Sequence, residues 1–206
     1  MRKANFNFTK LFLIVMMFGF VSHIAMSQLA IKPGLTLPTG YLGALLKKAP
    51  TLAIGKIEDF DNRSRSRMLG EITYFSPRRD IYDVYAYVIE GDQETVYPGR
   101  QEVKLYLNLT FSMGLDYSIV QKNNFNFYAG ADLLLGMTLR SYQLDIPMVK
   151  SEGEFSGLPY FGIRGRAGVD YSFENFSLFL EMNRTYYLNS EKFFLSYNDL
   201  GIGIRF

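Results

Sequence analysis

The feature that most constrains this chain is an unbroken period of two from Val103 to Ile119, within VKLYLNLTFSMGLDYSIV. Val103, Leu105, Leu107, Leu109, Phe111, Met113, Leu115, Tyr117 and Ile119 form one apolar series. The alternate positions, Lys104, Tyr106, Asn108, Thr110, Ser112, Gly114, Asp116 and Ser118, are mostly small or polar. Such alternation predicts a strand with two unlike faces. Its length is the unusual part, because strands in soluble proteins run to about 5–6 residues. Fully extended, this one reaches about 55 Å, or about 40 Å of height at a ~45° tilt. A small soluble sandwich has no use for such a strand.

The pattern recurs downstream. FNFYAGADLLLGMTLRSY (125–142) sets Phe125, Phe127, Ala129, Ala131, Leu133, Leu135, Met137 and Leu139 against a face with Asp132 and Arg140. In PYFGIRGRAGVDYSF (159–173) the face opposite Phe161, Ile163, Ala167 and Val169 holds Arg164, Arg166 and Asp170. FSLFLEMNRTYYL (176–188) places Glu181 opposite Leu178, Leu180 and Met182, and YNDLGIGIRF (197–206) closes the chain with Arg205 opposite Leu200, Ile202, Ile204 and Phe206. Upstream, QLAIKPGLTL, PTLAIGKI and RMLGEITYF (the last with Glu71) give three further, weaker alternations, so eight strands are predicted.

Their connections alternate in length. Short polar turns fall near 59–64, 121–124 and 174–175, and longer links span 37–50, 77–101, 145–157 and 189–192. Short turns at one end and long loops at the other describe a closed, eight-stranded antiparallel transmembrane β-barrel, with periplasmic turns and extracellular loops. The apolar faces then meet lipid and the polar faces fill the interior, the reverse of a soluble sheet. Outward aromatics near the short turns (Tyr117, Phe125, Phe127, Tyr171, Phe173, Phe176, Phe206) fit an interfacial girdle.

Residues 1–27 read as a cleaved signal peptide: Arg2, Lys3 and Lys10, an apolar run from Leu11 to Val21, and small residues at Ala25 and Ser27. The barrel is then 28–206. Removing those three cations takes the formal charge from +2 to −1, so the mild basicity belongs to the leader and implies no nucleic-acid partner. The chain has no Cys, which excludes disulfides, thiol nucleophiles and an N-terminal lipid-modified Cys.

From Gln28 to Phe206 the chain resembles the small eight-stranded outer-membrane barrels of the OmpA and OmpX types, a porin-like group. The most specific element is the terminal LGIGIRF. The resemblance implies residence in the outer membrane of a Gram-negative bacterium, contact with outer-membrane lipid, and recognition of Phe206 by the barrel assembly machinery. A peptidoglycan-binding domain does not follow Phe206, so cell-wall anchoring is not implied.

Enzymes built on such barrels depend on a His near neutrality, and the one His here, His23, lies in the expected leader. No catalytic, cofactor or metal site is therefore expected. DFDNRSRSR (59–67) lacks the Gly and closing Glu of a calcium loop and reads as a periplasmic turn with a basic cluster at the membrane edge. The inward charges Glu71, Asp116, Asp132, Arg140, Arg164, Arg166, Asp170, Glu181 and Arg205 are expected to pair as a structural network, because buried charges must be compensated. Inward Tyr106, Tyr128, Phe179 and Tyr187 share that narrow space.

The link 80–101 is not a plain loop. DVYAYVIE alternates, GDQ marks a turn and ETVY can pair back, which predicts a protruding hairpin bearing Tyr82, Tyr85, Tyr87 and Tyr97. Such a hairpin suits contact with a surface or envelope protein. Two functions follow: a non-enzymatic barrel that acts structurally or binds a partner through its loops, or a small channel or transport or secretion accessory.

Overall fold

The computed structural model describes residues 28–78, 81–90, 93–146, 149–188 and 195–206. The expected signal peptide, 1–27, lies outside the described residues. In chain order the elements are β1 (Leu29–Thr39), α1 (Gly40–Leu45), β2 (Ala49–Asp59), β3 (Ser64–Tyr74), β4 (Ile81–Glu90), β5 (Gln93–Lys122), β6 (Phe125–Ile146), β7 (Val149–Ser172), β8 (Ser177–Leu188) and β9 (Leu195–Arg205).

All strands join one antiparallel sheet in the order β3-β2-β1-β9-β8-β7-β6-β5-β4, and a further β3–β5 pairing closes it. Eight strands form the wall, with β4 additional to them. The lower part of β5 pairs with β3 (Tyr74↔Leu107 to Ser64↔Tyr117), and its upper part pairs with β4 (Ile81↔Glu102 to Glu90↔Gln93). β5 is thus one 30-residue strand with two successive neighbours on the same edge. A crossing needs only about 9–11 residues, so most of β5 stands outside the hydrocarbon. The link expected over 145–157 is also largely strand, because β7 starts at Val149 and pairs with the top of β6 (Ile146↔Val149, Tyr142↔Glu154). The extramembrane part is consequently a sheet of β4, β5, β6 and β7.

Burial follows the period of two and settles which face is inside. On β5, Asn108, Thr110, Ser112, Asp116 and Ser118 are buried, whereas Met113, Leu115, Tyr117 and Ile119 are exposed. Leu133 is 72% exposed on the outer wall, and Glu181 is 1% exposed within. An apolar exterior around a polar core is stable only where the exterior meets lipid. Inward glycines admit the large interior rings. A Cβ at Gly136 would collide with the Tyr160 ring, and one at Gly203 with the Phe179 ring. At the β5–β6 turn Asn123 takes φ 54°, a left-handed conformation that Asn tolerates.

Candidate functional site

The interior has two storeys. The lower one is ionic. Arg166 reaches two carboxylates, with Nε donating to Asp116 Oδ1 at 2.5 Å and the two Nη groups donating to Asp132 at 2.6 and 2.8 Å. Arg164 forks onto Glu71 and donates from Nε to Thr185 Oγ1 at 3.0 Å. Glu181 accepts from Lys32 Nζ at 2.5 Å, from Arg67 Nη1 at 2.8 Å and from the Tyr128 hydroxyl at 3.2 Å. Arg65 pairs with Asp170 and lies 4.2 Å from the centre of the Tyr128 ring.

The structure brings together seven of the nine charges expected in this network: Glu71, Asp116, Asp132, Arg164, Arg166, Asp170 and Glu181. Arg140 and Arg205 are corrections. Arg140 is exposed at the level of Tyr106, above the network. Arg205 sits at the short-turn rim and pairs with Asp59 at 3.1 Å. Sequence reasoning missed Lys32, Arg65, Arg67 and Asp199, all buried. Arg65 and Arg67 also correct the reading of RSRSR as a membrane-edge cluster. Of its three arginines only Arg63 stays at the rim, beside the Tyr117 hydroxyl at 3.5 Å. The signal that would have found Arg67 is its parity with Glu71, two steps of the same alternation.

The upper storey is an aromatic plug. Phe75 stacks on Tyr197 (5.4 Å, 24°) and meets Tyr106 edge-on, while Tyr187 contacts Tyr160 at 4.2 Å and Tyr197 at 5.3 Å. The Tyr160 hydroxyl donates to Asn108 Oδ1 at 2.6 Å, so the buried phenol has a partner. Leu46, just after the unforeseen helix α1, packs into this cluster, and Lys47 N donates to Ser76 O at 2.9 Å. The β1–β2 link therefore folds over the long-loop end as a stopper. Between the storeys lies a cavity of about 10 Å³ lined by Thr36, Glu71, Arg164, Tyr187 and Asp199, room for about one water. At the other end a polar vestibule of about 400 Å³ opens among the short turns. There Asp61 Oδ1 accepts from the backbone N–H groups of Arg63 (2.6 Å) and Ser64 (2.7 Å), which hold its carboxyl below the ordinary carboxylate range.

On the protruding hairpin, Tyr85 is exposed and Tyr97 half-buried. Tyr85 opposes Pro98 and Ala86 opposes Tyr97, so the two rings leave opposite faces. Tyr82 and Tyr87 occupy β4, but their side chains lie outside the described residues. The edge of β4 away from β5 pairs with no described strand. Phe206 is exposed on the wall, and its backbone N–H closes the seam by donating to Leu29 O at 3.0 Å.

A closed eight-stranded antiparallel barrel with an apolar exterior, a charged interior and a protruding sheet has the fold of the small outer-membrane barrels. Among solved structures the chain is similar to a major outer membrane protein from Thermus thermophilus (12% identity, 87% of this chain and 98% of that one, TM-score 0.53). It is likewise similar to Neisserial surface protein A (14% identity, 86% and 94%, TM-score 0.50). At these identities the likeness carries the fold alone. No family model matches the sequence, and no curated protein matches it.

Proposed function

We propose that this chain is a non-enzymatic integral protein of a Gram-negative outer membrane, exported by a signal peptide ending at Ser27, that binds a surface or envelope protein through its protruding sheet. The observation that carries the reading is the free edge of β4, held above a plugged barrel. An unpaired strand edge offers a row of backbone donors and acceptors to a partner strand, and exposed Tyr85 adds an amphipathic contact. The described residues contain no His, the usual base of small barrel enzymes. Assembly would use the terminal strand, with Phe206 as the residue read by the assembly machinery.

The alternative, a small channel or transport accessory, is disfavoured by the ionic storey and the aromatic plug that fill the lumen. One paired experiment separates the two. A photo-crosslinking residue at Tyr85 on intact cells should give a discrete protein adduct that the same probe at lipid-facing Leu115 does not. The purified barrel in a planar bilayer should pass little current. A large steady conductance with no Tyr85 adduct would favour the channel and reject the binding role.

A further inference from the structure

The outer wall should carry no charge at membrane depth, because Arg or Lys facing lipid is costly there. On most of the described wall this holds. The other exposed ion pairs gather at the two ends: Lys56 with Glu58 near the short-turn rim, and Lys104 with Glu102 near the base of the hairpin, where the β5–β6 register shifts. Arg184 on β8 belongs to neither group. It follows Met182 and precedes Tyr186 on the outward face, and both are exposed to lipid. It lies seven residues above Ser177, a rise of about 16 Å at 3.3 Å per residue and a ~45° tilt. The apolar band is about 25 Å tall, so Arg184 falls in its half nearer the long loops.

Its surroundings are specific. Nη1 donates to Asn198 Oδ1 at 2.7 Å, and the guanidinium lies 5.0 Å from the centre of the Tyr186 ring. No carboxylate among the described residues comes within ion-pair distance of it. A guanidinium has five N–H donors, so most of its capacity remains unspent. Across the strand pair Arg184 faces Gly165, which in turn faces Ala131. A Cβ at Gly165 would meet nothing, so this part of the wall is an open notch beside the cation.

We propose that Arg184 and this notch form a site for the phosphate group of an outer-leaflet lipid. The fork of Arg184 takes the phosphate oxygens, Asn198 and the Tyr186 ring fix the fork, and the lipid's acyl chain lies in the shallow trough at Gly165 and Ala131. A charge-assisted fork to phosphate matches arginine's planar donors, and an ionisable residue at membrane depth implies a partner for it. The site is independent of whatever binds the hairpin.

The test is lipid retention by the purified full barrel in mild detergent, read by native mass spectrometry. The probes are bis-phosphorylated lipid A, its dephosphorylated counterpart and inorganic phosphate. The native barrel should hold the phosphorylated lipid and not the other two. Arg184→Gln should weaken retention about 10–100-fold, as expected for losing charge-assisted hydrogen bonds, and Arg184→Lys should fall between. Gly165→Leu should weaken it with the charge intact, which separates a site from simple ion exchange. Both positions face outward, so heat-modifiable folding should be unaffected. Equal retention by Arg184→Gln, or equal binding of the dephosphorylated lipid, would overturn the proposal. Binding of inorganic phosphate as strong as that of the lipid would reject the lipid as its source.

Discussion

Replacing Arg166 with Met tests whether the ionic storey holds the barrel together. The change keeps most of the side-chain volume and removes three hydrogen bonds to two buried carboxylates, Asp116 and Asp132. Breaking a buried ion pair by deleting one partner costs about 3–5 kcal/mol, because the remaining charge stays buried and uncompensated. Two stranded carboxylates would argue for more, but each keeps a second cation. Asp116 Oδ2 lies 3.6 Å from Arg67 and 3.7 Å from Arg65, and Asp132 Oδ2 lies 4.0 Å from Arg164. The expected loss is therefore near the low end, about 3 kcal/mol. Urea titration of the refolded barrel in lipid vesicles, read by heat-modifiable gel mobility and extrapolated linearly, measures it. Adding Asp132→Asn to Arg166→Met should recover about half of the loss, since it removes the carboxylate that took two of the three Arg166 bonds and restores the charge balance, while Asp116 stays near Arg65 and Arg67. If Arg166→Met unfolds within about 0.5 kcal/mol of the native barrel, the range of an inconsequential surface change, the network does not stabilise the fold as argued.

Leu133→Arg, on the most exposed part of the lipid-facing wall, should cost about 2–4 kcal/mol in the same titration if it sits near the midplane; no change would place that face away from lipid. Thr95→Cys on the hairpin should react with an impermeant thiol reagent on intact cells and Asn123→Cys at the β5–β6 turn should not, and the opposite pattern would invert the topology. Deleting Phe206 should lower the yield of the heat-modifiable form in cells, with an unchanged yield counting against its role in assembly. Because the Asp61 carboxyl is held below 3.8 by the Arg63 and Ser64 amides, its contribution to the turn is complete above that pH and lost as pH falls through the lowered value. Protection of the Ser64 amide, its exchange rate relative to the intrinsic rate at the same pH, should fall in acid, and Asp61→Asn should abolish that dependence.

Strands β5 to β9 were legible because their outward faces are apolar at nearly every position, so parity alone assigns most residues to lipid or interior. Parity does not assign height. Arg140 and Arg205 have the inward parity of Arg164 and Arg166, yet one stands at the level of the plug, above the ionic storey, and the other at the rim. The charges of β1 and β3 were harder. Pro33 and Gly34 interrupt β1 beside Lys32, and RSRSR follows a turn, where arginines commonly serve as interfacial anchors. The plug was legible in part. Tyr106 and Tyr187 were expected inside and Tyr160 shares the parity of Arg164, but nothing local says that these rings meet Phe75 and Tyr197 in one cluster, and α1 lies in a link with no helical period. The wall site at Arg184 carries a sequence signal, a lone cation in an otherwise lipid-facing series, that means nothing until the face is known.

The continuity of β5 has a mechanical consequence. A loop tethered by a few flexible residues lets a bound partner swivel, and little force reaches the body beneath. Here the hairpin is the upper length of a stave that is laced to β6 along most of the barrel's height. A pull on β4 and β5 along the membrane normal would load that lacing in shear, with many backbone hydrogen bonds sharing the tension at once. A partner gripping the hairpin would be holding the barrel itself, at an angle set by the wall.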